Sequence, residues 1–254
     1  MAMSIWWKHL LSDSESVKGN KMSDTPKQFE AFDVLGDGIS FVRLINTMGS
    51  DVEIVNGARV SFGKRREALN EQDKTLIQYL AEERHTSPFE HVAFTFHVKC
   101  PLFVTRQWHR HRTWSYNEIS RRYTSINMEF YVPKAYRQQA QTNRQASTDE
   151  LIDTTGAGDS IHDMVAQHTK EAFDFYEELI AQGVAREQAR MVLPQNMYTE
   201  MYATVNLHNL IHFIELRIHA GAQWEIQQYA KKLLDLAEAA APYAVQAIRK
   251  ARNW

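Results

Sequence analysis

Along this chain the apolar and polar positions change their period several times, and each change marks an element. Phe41, Val42, Leu44 and Ile45 form an early apolar run that Gly49 ends, which predicts a first strand. Between Asn70 and Glu83, Leu76, Ile77 and Leu80 recur at helical spacing with Asp73 in the first turn, so this segment predicts a helix. The period then drops to two. Val92, Phe94, Phe96 and Val98 alternate with Ala93, Thr95, His97 and Lys99, the pattern of a half-buried strand. Pro101 closes that strand and suits the first turn of a helix running to about Arg112. Ile126, Met128, Phe130 and Val132 alternate again, predicting a second such strand that ends at Pro133.

Residues 137–160 are polar, from Arg137 to Arg144 and again through Thr154-Thr155-Gly156-Ala157-Gly158, and read as a surface excursion. The Gly-x-Gly there follows no strand and lacks a third glycine, which argues against a phosphate loop. A helix follows, capped by Asp159 or Ser160, with Ile161, Val165, His168, Ala172 and Phe175 on one stripe and Gly183 at its end. From Glu187 to Trp254 nearly everything reads helical, with breaks near Pro194, Gly221 and Pro242. At the other end, Lys8 and His9 interrupt the apolar Ile5-Trp6-Trp7 and Leu10-Leu11, and no small-residue cleavage site follows, so a signal peptide is not indicated. Residues 1–28 read as a flexible N-terminal tail, with Met22 as a second candidate start. The sum is α+β: one mixed domain over 29–254, a small antiparallel sheet packed with long helices, and a helical C-terminal half.

Composition narrows the functions. Ten glycines and six prolines are few for 254 residues, which disfavours a turn-rich all-β fold. A net charge of −2 excludes the global basic field of a non-specific nucleic-acid binder. The single cysteine excludes a disulfide framework and any Cys-based zinc cluster, and suits a reduced cytoplasmic setting. No apolar run nears the roughly 20 residues that span a bilayer, so no membrane partner is expected.

The segment from Arg106 to Tyr123 changes the picture. Five arginines, two histidines, two serines, an asparagine and a glutamate fall within eighteen residues. A solvated basic face fits poorly, because Trp108, Trp114, Tyr116, Ile119 and Tyr123 are interleaved. Arginines beside a core need anions. Glu118 neutralises one, and the remaining positive charge asks for an anionic ligand. The planar Arg fork and serine hydroxyls suit phosphate. On a helix from Leu102, Gln107, Arg110 and His111 fall one turn apart on one side. A phosphate or nucleotide site follows. His85, His91, His97, His109 and His111 match no standard metal-ligand spacing, so no metal is expected. Ser120 has no partnered base in sequence and reads as a ligand binder rather than a nucleophile.

The run Arg110-His111-Arg112, seven residues, then Ser120 resembles the Arg-His-Arg-x7-Ser signature of the flavin-dependent thymidylate synthases. Ala58–Phe62, His85–His91, Ala189–Pro194 and Gln223–Tyr229 also resemble segments of that family, in family order, and the resemblance covers about residues 38–240. It implies a methyltransferase that converts dUMP to dTMP. The carbon comes from 5,10-methylenetetrahydrofolate, and the reducing equivalents from FAD reduced by NADPH. Reduced flavin passes hydride to the uracil ring with no enzyme cysteine nucleophile. The resemblance further implies a homotetramer whose sites are shared between subunits. Cys100, before Pro101, lacks an activating motif and reads as a buried inert thiol.

Site roles carry over by position. For dUMP the resemblance implies Gln107, Trp108, His109 and Arg110 on the helix, and Glu118, Ile119, Ser120, Arg121 and Arg122 in the loop. Arg190 and Arg217 complete that set, with Arg217 as the catalytic arginine that favours the ionised N3 form of the uracil. For FAD it implies Ser61, His85, Arg110, His111, Arg112, Glu118, Asn206, Leu207, His208 and His212. His109 and Arg121 depart from the family pattern, which has a bulky apolar and a small residue there, so at 121 a backbone contact is implied. Two other classes stay open at this stage. One is a nucleic-acid module built on the Arg/aromatic run; the other is a different flavoenzyme, or a relative that binds nucleotide without turnover.

Overall fold

A computed structural model describes residues 29–63, 65–143, 146–152 and 160–254. The N-terminal tail, the Thr154–Gly158 run and the candidate cap Asp159 lie outside the described residues. Among the described residues there are seven strands: β1 (Glu30–Phe32), β2 (Phe41–Met48), β3 (Ala93–Pro101), β4 (Ser115–Glu118), β5 (Arg137–Gln139), β6 (Ser147–Leu151) and β7 (Tyr198–Asn206). The helices are α1 (Asp51–Ala58), α2 (Glu71–Glu82), α3 (Leu102–Trp108), α4 (Ile161–Ala181), α5 (Arg186–Ala189), α6 (Leu207–Arg217), α7 (Trp224–Ala240) and α8 (Pro242–Arg252). Five strands form an antiparallel sheet in the order β1-β2-β3-β7-β4, and β5 and β6 form a separate hairpin. The fold is α+β, as expected.

The period-two pattern of β3 explains the core. Phe94, Phe96, Val98 and Cys100 are wholly buried, beside Val42 and Leu44 of β2 and Met201, Ala203 and Val205 of β7. They share one apolar cluster with Phe213 and Ile214 of α6, Ile226, Tyr229 and Leu233 of α7, and Val245 and Ile248 of α8. The opposite, polar face of the same strands carries Thr95 and Thr204, whose hydroxyls lie 3.0 Å apart. At Gly49 (φ +77°) a Cβ would meet the His91 carbonyl oxygen at 2.5 Å, so this turn admits no side chain.

Several expectations are corrected. The largest concerns β7, which lies in the stretch read as helical. Its buried positions Met201, Ala203 and Val205 alternate with exposed Tyr202 and Thr204, a period-two signal hidden between helix-forming flanks. Residues 126–132 form no strand. They make a single bridge, Phe130 to Met197, and Asn127 adopts φ +50°. Their alternation arises because Met128 and Phe130 pack on a second apolar cluster around Tyr176. That cluster also corrects the face of α4: Thr169 and Tyr176 are its buried residues, whereas His168 and Phe175 are exposed. Ser160 caps this helix, accepting from the Asp163 N–H at 3.1 Å. Finally, α3 stops at Trp108 rather than Arg112, and β4 begins inside the motif. The Tyr116 hydroxyl lies 3.1 and 3.0 Å from the carbonyl oxygens of Trp108 and His111, supplying the partner that a helix end lacks.

Candidate active site

Pro101 passes the chain from β3 directly into α3, and the Leu102 N–H donates to the Met197 carbonyl at 2.9 Å. This ties α3 to the segment before β7. Trp108 anchors the helix. Its ring is fully buried, 5.9 Å from Trp114, 5.0 Å from Phe213 and 5.8 Å from Tyr229. Any ligand contact at Trp108 would therefore come from its backbone. The short helix divides its neighbours. Thr105, Arg106 and His109 face one cavity, while the Gln107 backbone faces Arg217.

That cavity has a volume of about 660 Å³ and lies between α3, the loop after β4 and the α5 turn. It brings together His109, Glu118, Ile119, Ser120, Arg121 and Arg190 from the expected nucleotide set. Gln107, Arg110, Arg122 and Arg217 do not line it. Glu118 is held by the Thr199 hydroxyl, which donates to Oε1 at 2.7 Å. Arg121 is buried, and its guanidinium donates to the carbonyls of Ile126 (2.8 Å) and Asn127 (3.4 Å), so the side chain ties down the loop. Its burial lowers its pKa. Arg122 reaches Glu187 at 3.5 Å, and Arg190 Nε donates to the Glu187 carbonyl at 3.4 Å. Arg106 and Thr199 are among the lining residues missed from sequence. Arg106 could have been found, since it sits three residues before His109 on one helical face. Thr199 carried no signal while its segment read as helix.

Arg217 and His111 form a second constellation. Arg217 ends α6; its Nε donates to His111 Nε2 at 3.0 Å, and its Nη2 donates to the Gln107 carbonyl at 3.2 Å. Because Arg is only a donor, His111 Nε2 carries no proton and the ring is the neutral Nδ1–H tautomer. Burial, then the Arg217 charge, then His212 push the His111 pKa down to about 4. The helix from Leu102 expected to carry Gln107, Arg110 and His111 on one side does not exist beyond Trp108. His111 instead reaches Arg217 by folding back under Phe213, with ring centroids 4.7 Å apart.

This pair makes stability pH-dependent. An unfolded histidine binds its proton near pH 6.5, whereas folded His111 does so near 4. Between those values the unfolded state holds more protons, so stability rises with pH and is lost as pH falls through the window. Urea titrations at pH 7 and pH 5 should show a drop, at most about 1.4 kcal/mol per pH unit for one proton. His111→Gln should flatten that slope; an unchanged slope would refute the assignment.

The residues implied for FAD lie elsewhere. Ser61 is exposed in the turn Val60–Phe62 after α1, between Val60 and Phe62, each 75 % exposed. His85 is exposed at the edge of the Tyr79 ring (5.8 Å). Arg110, Arg112 and His212 are exposed, and among the described residues neither arginine has an ion-pair partner. Asn206 caps α6, accepting from the Asn209 N–H at 2.9 Å; Leu207 is buried; His208 Nδ1 is buried without a partner. His212 lies 6.1 Å from His111. None of these except Glu118 lines the 660 Å³ cavity. Cys100 is fully buried on β3, and burial pushes its thiol pKa well up, which is inert chemistry. Among the described residues no group of three or more His, Cys, Asp or Glu could hold a metal.

Comparison with known proteins shows what this geometry accompanies. Residues 43–243 match the family model described as thymidylate synthase complementing protein. The chain is 50 % identical over 204 residues to a flavin-dependent thymidylate synthase of Thermus thermophilus, covering 80 % of this chain and 73 % of that protein. It is 43 % identical over 210 residues to one from Thermosipho africanus, covering 83 % and 91 %. Among solved structures, a UMP/dUMP methylase from Streptomyces cacaoi bound with 5-Br dUMP superposes with a TM-score of 0.72 at 34 % identity, covering 82 % of this chain and 94 % of that one.

Proposed function

This chain belongs to the flavin-dependent thymidylate synthase family, and from that premise we propose that it methylates dUMP to dTMP in the cytoplasm, with 5,10-methylenetetrahydrofolate as carbon donor and FAD and NADPH as the reductant chain. The observation that carries the reading is the 660 Å³ cavity, where Arg106 and Arg190 meet the Ser120 hydroxyl. Arginine forks and a hydroxyl are the donor set of a phosphate monoester. The nucleotide set is Gln107 to Arg110, Glu118 to Arg122, Arg190 and Arg217. Trp108 and Arg121 contribute through backbone, because their side chains are already committed to the core and to the loop carbonyls.

Within this reading Arg217 supplies a fixed cation to the uracil. A cation beside N3 favours the ionised ring, which enriches C5 in electron density. His111 stays neutral there, so it adds no competing positive charge and accepts from Arg217 Nε. The residues present suit FAD. Arg110 and Arg112 are exposed cations without ion-pair partners among the described residues, as a diphosphate requires, and the buried, unpartnered His208 Nδ1 awaits a hydrogen-bond partner. Ser61, His85, His111, Glu118, Asn206, Leu207 and His212 complete the set that would hold it. When bound, the flavin supplies the reducing equivalents. The exposed apolar side chains Val60, Phe62 and Met191 support completion of the site by other copies in a homotetramer.

The test has two parts. Purified protein should show flavin absorption bands that bleach on anaerobic addition of NADPH. It should then release tritium from C5-labelled dUMP when folate is present. A protein that stays colourless after incubation with FAD would sink the cofactor reading, and bleaching without tritium release would sink the methyl-transfer reading. Arg190→Ala should weaken dUMP binding about tenfold or more, a loss of at least about 1.4 kcal/mol. Unchanged dUMP affinity in calorimetry would remove Arg190 from the nucleotide set.

A further inference from the structure

A second cavity, about 570 Å³, lies beneath the β5–β6 hairpin, between the Leu35–Asp37 turn, the Tyr131–Tyr136 segment and the start of α7. It shares no lining residue with the first cavity. We propose that it is a second ligand site, built for a flat heteroaromatic molecule that carries an anionic tail.

Its volume is that of a small-molecule site. Three aromatic residues wall it: Tyr131, Tyr136 and Trp224. The Arg137 guanidinium already lies 5.2 Å over the Trp224 ring, so a flat ring has both a π-face and a cation to stack on. The Tyr136 hydroxyl is buried with no partner, an unmet hydrogen bond in a cavity wall.

The charges favour an anion. Lys134 Nζ donates to the Gly36 carbonyl at 2.8 Å and has no carboxylate in ion-pair range among the described residues. Arg137 pairs with Asp149 at 2.9 Å, but the Asp149 side chain is fully exposed. Such a pair is worth little, so an incoming carboxylate or phosphate displaces it cheaply. Asp37 keeps its charge, so the anionic tail would lie toward Lys134 and Arg137. The Asp37 carboxylate is occupied by the Tyr198 and Ser40 hydroxyls and the N–H groups of Ile39 and Ser40. Glu225 is the remaining acid on the wall, and it matches ring donors rather than the tail. Here α7 also begins without a side-chain cap.

Gln223 joins the two regions. It lines this cavity, its side-chain oxygen accepts from Gln107 Nε2, and the Gln107 carbonyl accepts from Arg217. An occupant therefore touches a residue that is tied to Arg217.

Two sources share this chemistry: a folate, with pterin ring and glutamate tail, and a nucleotide, with base and phosphate. The experiment uses the purified holoenzyme. It is first titrated with dUMP to saturation, so a failure of the uridylate reading appears in that titration alone. 5-Formyltetrahydrofolate and dTTP are then titrated separately by calorimetry. The expected result is saturable binding of one probe below about 1 mM, weakened at least about tenfold by Arg137→Ala or Tyr136→Phe, with dUMP affinity unchanged. The binding probe identifies the source. If neither probe binds, or if binding is indifferent to both variants, the proposal is overturned. Should Arg137→Ala fail to fold, Lys134→Ala takes its place with the same reading.

Discussion

Arg217→Ala is expected to lower turnover by two to three orders of magnitude, about 3–4 kcal/mol of transition-state stabilisation, while the protein stays folded. The argument is local. Arg217 is half-buried at the end of α6, its burial lowers its pKa, and its two hydrogen bonds go to a neutral ring and a carbonyl rather than to a carboxylate. No anion within the described residues spends its charge, so the charge is available to a ligand. Losing two neutral-acceptor hydrogen bonds costs stability on the order of 1–2 kcal/mol. A second readout separates charge from packing. Arg217 helps hold the His111 pKa near 4, so its removal must move that pKa upward, because imidazolium no longer faces a fixed cation. NMR titration of His111 should show the rise in Arg217→Ala and little change in Arg217→Lys. The lysine keeps the charge but not the fork, so its turnover should fall between the two. Near-normal turnover in the alanine variant would remove Arg217 from the chemistry; an unmoved His111 would show that burial alone sets its pKa.

Much of this arrangement was legible in the residues, and what was not has definite causes. The strand Phe94–Cys100 was legible because one face is buried and the other wet, the condition under which period two survives. The density of arginine and aromatic side chains around Arg110 pointed to an anion site before any geometry was known. The failures cluster where tertiary contacts override local pattern. Tyr198–Asn206 lies inside a helix-rich half and became a central strand because β3 and β4 both pair with it. Met128 and Phe130 alternate like a strand but answer to Tyr176 on α4. Likewise α3 is cut short by the Tyr116 hydroxyl, a contact eight residues away that no periodicity encodes. The expected nucleotide set was divided as a result: part of it surrounds the cavity, while Arg217 and Gln107 meet each other and do not line it.

Asp73 carries the largest expected stability effect, although in sequence it marked only the first turn of a helix. Its carboxylate is wholly buried. One oxygen meets Arg59 Nη2 at 2.8 Å; the other meets Arg66 Nε at 3.4 Å and accepts from the Asn70 N–H at 3.1 Å. Removing it leaves Arg59, 22 % exposed, without its counter-charge and opens the α2 capping box. Breaking a buried pair by deleting one partner costs about 3–5 kcal/mol, and the low end applies because Arg66 is a third exposed. Asp73→Ala should therefore lower Tm by about 6–12 °C for a chain of this size. The consequence reaches the proposed site. The Arg59 backbone carbonyl accepts from the Phe62 N–H at 2.9 Å and so closes the turn that presents Ser61, next to the side chain that Asp73 holds. With Arg59 released, FAD should be retained more weakly at temperatures well below Tm, read as flavin lost on gel filtration. Asp73→Asn keeps the cap acceptor but not the charge, and should lose less stability. A Tm within about 2 °C of the parent would mean that the Asp73–Arg59 pair holds nothing together. A large drop with FAD fully retained would mean that the Ser61 turn stands apart from the flavin.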